Sequence, residues 1–164
     1  MDMWQAIDWA DPDEARHLLA RACGSSRWVD RMMARRPFGG RDALLSAAGH
    51  EWTALGEDDW REAFAHHPKI GDRDSLRARF PDTHALSARE QAGVDCAADA
   101  VLSALADANR VYERRFGYIF IVCASGLSAE EMLARLTARL GNSPAQEIVV
   151  AAAEQARITA LRLG

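Results

Sequence analysis

The residues best suited to chemistry in this chain lie in the run His66-His67-Pro68-Lys69-Ile70-Gly71-Asp72. Imidazole is the side chain whose ordinary charge change falls between pH 5 and 8, so either histidine could act as an acid or a base. The pair could equally finish a helix, where an imidazolium suits the negative end of the dipole. Both readings stand on these residues alone. Adjacent histidines point in different directions, and the nearest further ligands, Asp72 and His84, lack metal-site spacing. A metal site is therefore not expected.

Three further groups qualify. Glu90 follows Ser87 by three residues, the spacing of a capping box. A carboxylate in the first turn of a helix is also placed to face a ligand, and Gln91 beside it can both donate and accept. Arg157 and Arg162 sit near the end of the chain on different helical faces. Arg162 would be a solvated arginine unless a carboxylate gave its fork something to grip. Lys69 is the single lysine beside nineteen arginines. Its compact ammonium differs from a guanidinium, although one lysine can also remain by chance. The sequence shows no Ser-His-Asp order, nucleophilic cysteine setting, phosphate loop or dinucleotide fingerprint.

The elements that must position these groups read as helices. Asp11-Pro12-Asp13-Glu14 supplies an N-cap, a proline at the first helical position and a capping acid, and Gly24 is a stop. A second helix is expected near Arg27 to Arg35, burying Trp28, Met32 and Met33 before Pro37 ends it. A third runs from Arg41 to Leu55. A fourth, from Asp58 to Ala65, places Trp60 and Phe64 on one face and ends before His67, since a residue preceding proline avoids helical geometry. Gly71 to Leu86 reads as a loop around at most a short helix. Ser87 opens a long helix to Phe116, closed by Gly117, with a stripe of Val94, Val101, Leu102, Leu105 and Val111 and room for a break. Tyr118 to Ala124 resembles a strand without a partner and is expected to be a buried extended connection. Ser128 and Ser143 cap two last helices. The expected fold is all-α, one domain over 1–164, with seven or eight helices.

Bulk properties narrow the function. A formal charge of −4 argues against a nucleic-acid partner, which calls for clustered basic residues. No apolar run approaches the roughly 20 residues of a membrane span. Neither a secretory leader nor a C-terminal peroxisomal tripeptide is recognised. Cys23, Cys96 and Cys123 are far apart and odd in number, as expected of reduced thiols in a cytoplasmic protein.

Taken together, the residues resemble the 2-oxo-4-hydroxy-4-carboxy-5-ureidoimidazoline (OHCU) decarboxylase family. The resemblance runs through Cys23-Gly24-Ser25 with Trp28, Arg36-Pro37-Phe38, Trp60 to Asp72, Ser87 with Glu90 and Gln91, Phe116 to Gly126, and Glu154 to Leu163. It implies an all-helical, homodimeric enzyme of urate breakdown that uses no cofactor and forms (S)-allantoin. It implies His67 as the catalytic histidine and Glu90 as its carboxylate partner. Pro68, Ser87, Gln91 and Arg162 would bind substrate, and Phe120, Ile121, Val122, Cys123 and Ala124 would line the pocket through their backbone. Arg157 ranks behind Arg162. Two departures stand out: Tyr118-Ile119-Phe120 lacks a proline that some members carry there, and Lys69 falls at a variable position. A decarboxylase of a related ureido or imidazole acid is the alternative within enzymes. A non-catalytic helical adaptor is the alternative outside them.

Overall fold

The computed structural model describes residues 1–68, 76, 78, 80 and 88–164, with side chains in the helix that starts at residue 88 described from residue 98 onward. Among the described residues there are eight helices and no strand: α1 (Met3–Trp9), α2 (Pro12–Ala22), α3 (Ser26–Arg35), α4 (Arg41–Thr53), α5 (Glu57–Ala65), α6 (Ala88–Phe116), α7 (Ala129–Arg139) and α8 (Pro144–Leu163). They group into two compact units. The first holds residues 1–67, 121–123 and 148–164, and the second 68–120 and 124–147.

In the first unit, α3 packs on α2, α4 and α5, while α1 lies against α2 and α4. Its core is built from Ile7, Leu19, Trp28, Met32, Leu44, Trp52, Phe64 and Leu163. A buried indole needs a partner for its N–H. Trp28 donates to the Ala48 carbonyl at 3.1 Å and Trp52 to the Ala152 carbonyl at 2.9 Å. The helix caps are local: Asp11 accepts from the Glu14 amide at 2.9 Å, and Ser25 accepts from the Trp28 amide. Helix α1 is additional to the sequence reading. Its signal was present, since the Gln5 side chain accepts from the Asp2 amide in the manner of a capping box. Met33 is only half-buried, and Val29 takes the core position instead.

In the second unit, α6 packs on α7. Helix α6 runs without a break for 29 residues and ends at Gly117, whose φ of +82° is the left-handed stop favoured by glycine. The buried stripe is Leu102, Leu105, Tyr112 and Phe116. Val111 does not join it and is 43% exposed. Tyr112, two full turns from Leu105, faces the core, which turns its neighbour outward. Val101 is half-buried, and the Val94 side chain lies outside the described residues. From Tyr118 to Ala124 the chain is neither helix nor strand, and within it Tyr118 and Ile121 are buried while the other residues are half-buried. The Gly71–Leu86 loop lies mostly outside the described residues. Leu76 and Ala78 are helical, and the Phe80 amide donates to the Leu76 carbonyl at 2.9 Å.

The second unit also buries a charged cluster. Glu147, at 0% exposure, accepts from Tyr112 Oη at 2.5 Å, Arg139 Nε at 2.7 Å and Asn142 Nδ2 at 2.9 Å. The Arg139 guanidinium lies over the Phe120 ring, 4.5 Å from its centre. Burial and the neighbouring carboxylate push the Tyr112 hydroxyl pKa far up.

Candidate functional site

Helix α5 ends where Pro68 forbids another turn. The His66 amide donates back to the Ala63 carbonyl and the His67 amide to the Phe64 carbonyl, both at 3.2 Å. This tight end sends the two rings to different environments. His66 is exposed, and its side chain passes over Gly24 so closely that a Cβ there would lie 2.5 Å from the His66 Cβ. Glycine at 24 is thus required by a close approach. His67 is half-buried.

The His67 ring meets α8. Its Nε2 lies 2.5 Å from Gln155 Oε1. Gln155 is 1% exposed and donates from Nε2 to Thr159 Oγ1 at 3.1 Å. Thr159 in turn donates to the Ala22 carbonyl at 3.4 Å. Arg162 completes this face: its Nη1 lies 3.4 Å from the Arg21 carbonyl and 3.3 Å from the Ala22 carbonyl, capping the end of α2. Residues 155, 159 and 162 are spaced i, i+4, i+7, one face of a helix. The sequence reading picked out Arg162 from this set and missed Gln155 and Thr159, which share its helix face but acquire their partners only in the fold. Arg157 is exposed on another face, paired with Glu154 at 3.3 Å.

Burial holds the His67 pKa below its ordinary 6.5, the Gln155 hydrogen bond works against this, and Arg162 and His66 add to the lowering. Cys23 lies beside the same groups, buried, its thiol pushed up to about 11 by desolvation and bonded to Thr159. Together these groups hold an imidazole whose pKa is lowered, whose Nε2 is hydrogen-bonded and which stands next to a fixed positive charge. That suits proton transfer near neutral pH.

The other expected site residues fall as follows. Pro68 is exposed. Phe120 belongs to the second unit, packed edge-on to Tyr112 at 5.2 Å. Ile121 is buried, while Val122, Cys123 and Ala124 are half-buried, and the Ala124 carbonyl accepts from the Leu127 amide at 3.1 Å. The backbone at Glu90 and Gln91 is helical, within α6. Ser87 and the side chains of Glu90 and Gln91 lie outside the described residues. Among the described residues no three His, Cys, Asp or Glu side chains could hold a metal ion. No helix among them is long and apolar enough to cross a membrane.

The family model for OHCU decarboxylase matches residues 9–164. The chain belongs to the OHCU decarboxylase family. One relative is the uric acid degradation bifunctional protein TTL of Arabidopsis thaliana, 37% identical over 146 residues. The match covers 86% of this chain but only 44% of that protein. A second is the 2-oxo-4-hydroxy-4-carboxy-5-ureidoimidazoline decarboxylase of Amia calva, 32% identical, covering 78% of this chain and 73% of the relative. Among solved structures, an OHCU decarboxylase crystallised in the presence of (S)-allantoin superposes with a TM-score of 0.70 and 34% identity. It covers 88% of this chain and 92% of that one. The OHCU decarboxylase fold thus accounts for the helical architecture described above.

Proposed function

We propose that this chain decarboxylates 2-oxo-4-hydroxy-4-carboxy-5-ureidoimidazoline to (S)-allantoin in urate breakdown. The observation that carries the reading is a half-buried His67 hydrogen-bonded to the buried Gln155, in a chain of this family. The substrate supplies its own electron sink. As the bond to the carboxylate breaks and carbon dioxide leaves, its electron pair forms a C=C bond while the adjacent C=N opens onto nitrogen. The enol-like intermediate takes one proton on nitrogen from water and one on the ureido-bearing carbon, while the hydroxyl gives up its proton and its carbon becomes the carbonyl of the product, a net uptake of one proton. No organic cofactor is needed for that sequence.

In this reading His67 takes up a proton, from the substrate hydroxyl as the carbonyl forms, and delivers it to one face. Glu90 is its carboxylate partner, steadying the imidazolium or the substrate hydroxyl. Ser87, Gln91, Pro68 and the backbone from Phe120 to Ala124 bind the ring and ureido groups, roles that rest on the family resemblance. Arg162 orients the substrate. Gripping the departing carboxylate more tightly would stabilise the ground state and slow the step. Residues 1–164 act as one catalytic domain, a reading supported by a family match over 9–164. A cytoplasmic homodimer belongs to the same reading, and light scattering after gel filtration tests the dimer.

The decisive experiment generates the unstable substrate in situ from urate and follows optical activity. Spontaneous decay gives racemic allantoin, so wild-type protein should produce an excess of the (S) form. His67→Asn should lower kcat by about 10²–10⁴-fold, the usual range for a general acid. A racemic product with wild-type protein would sink the proposal.

A further inference from the structure

We propose that Gln155 is a positioning residue that fixes the tautomer of His67, so that Nδ1 is the atom through which His67 exchanges its proton. The inference rests on His67 being the acid of the reaction, and it can fail independently of that reading.

The Thr159 hydroxyl has two acceptors beside it, the Ala22 carbonyl at 3.4 Å and the Cys23 sulfur, and giving its proton to either leaves an Oγ1 lone pair for Gln155. An Oγ1 lone pair then accepts from Gln155 Nε2 at 3.1 Å. With its amide nitrogen committed to Thr159, Gln155 presents Oε1 to His67 Nε2 at 2.5 Å. That oxygen can only accept, so His67 Nε2 carries its hydrogen in both the neutral and the cationic ring. The neutral ring has its lone pair on Nδ1, and the proton gained and lost is the one on Nδ1. Reversing the relay would turn the Thr159 proton toward Gln155 Oε1 and leave the Ala22 carbonyl, among the described residues, to Arg162 alone, at 3.3 Å. Gln155 is 1% exposed, and a buried amide left without partners is costly, so both of its ends need partners, which this arrangement supplies.

The charged and titratable groups facing His67 among the described residues are Arg162 on α8 and His66 beside it in the chain. Both oppose the cation, as does burial. The Gln155 hydrogen bond is the contribution that favours the cation against burial, Arg162 and His66.

Protein with ¹⁵N-labelled histidine separates the tautomers by NMR, because protonated and bare ring nitrogens resonate far apart. Wild-type His67 should be in the Nε2–H form throughout the neutral range. Gln155→Leu should give mixed tautomers, a lower His67 pKa and a kcat reduced by about tenfold to a hundredfold, with little change in KM. Gln155→Glu keeps an acceptor, so it should keep the tautomer, raise the pKa and move the pH profile of kcat upward. If the position 155 variants do not fold, Thr159→Val, which frees the amide to turn, should loosen the tautomer alone. Wild-type His67 in the Nδ1–H form overturns the assignment. So does a Gln155→Leu enzyme whose tautomer and pH profile match wild type while kcat falls, which is the mark of a merely structural role. The tautomer is read in the resting protein, so a wild-type enzyme giving only racemic product would defeat the proposed function and leave this assignment standing.

Discussion

The polar groups around His67 in the first unit and those around Glu147 in the second solve different problems. Among the described residues Glu147 forms a buried ion pair with Arg139, and each oxygen of the carboxylate has a donor: Tyr112 and Arg139 on one, Asn142 on the other. Around His67 the relay is neutral, passing from a ring to an amide, a hydroxyl and a carbonyl. A charged network of this kind resists change, because removing one partner strands the other in a low dielectric. A neutral relay ending on a half-exposed imidazole can gain or lose a proton without stranding anything. The first arrangement suits holding α7 and the start of α8 in register with α6; the second suits chemistry.

The largest expected effect breaks the charged network. Glu147→Ala should destabilise the protein by about 3–5 kcal/mol in urea unfolding, since Tyr112, Arg139 and Asn142 all lose the buried carboxylate to which they donate. The double variant Arg139→Met with Glu147→Leu should recover most of that loss. A loss below about 1 kcal/mol in the single variant would mean that the cluster is solvated after all, ending the contrast with the His67 relay.

The two regions also differ in how far the sequence disclosed them. Caps at Asp11, Ser128 and Ser143 are local, being satisfied within three residues, and they located helices α2, α7 and α8 closely. His67 and Arg162 were legible because the chemistry of their side chains is distinctive. Gln155 and Thr159 were not, because a glutamine and a threonine on an apolar helix become meaningful only when the chain brings α5 and α2 to them. Glu147, Arg139 and Tyr112 hid for the same reason: Tyr112 pairs with partners 35 and 27 residues away, and each residue alone reads as surface. Val111 misled by composition, since an apolar residue one place off the stripe looks the same in sequence as one on it.

A smaller effect belongs to the first unit and shows in alkali. The Cys23 thiol is raised from its ordinary 9.0 to about 11 by burial. A raised folded pKa gives stability that is fully present below 9 and lost as pH rises through 11, amounting to about 2–3 kcal/mol. The Tyr112 hydroxyl, also raised, begins to contribute only above its ordinary 10.0. Stability of wild type should therefore fall between pH 9 and 10, and Cys23→Ala should remove that early decline while leaving the later one. Equal slopes in the two proteins would show that the thiol is accessible to water.

The smallest effect sharpens the comparison most, because it titrates the relay itself. Burial lowers the His67 pKa below 6.5, so the folded protein binds fewer protons than the unfolded chain as pH falls past that value. The stability contributed by a neutral His67 is complete above 6.5 and lost as pH falls through the folded pKa. His67→Asn should flatten the dependence of unfolding free energy on pH between 7 and 5, and Gln155→Leu should steepen it, because the bond that favours the cation is gone. The other histidines are present in all three proteins, so the differences between slopes report His67 alone. If His67→Asn and wild type run parallel, the ring titrates as though in water. Nothing would then keep it neutral at rest, and the difference between a buried charged cluster that holds the fold and a neutral relay that moves a proton would collapse.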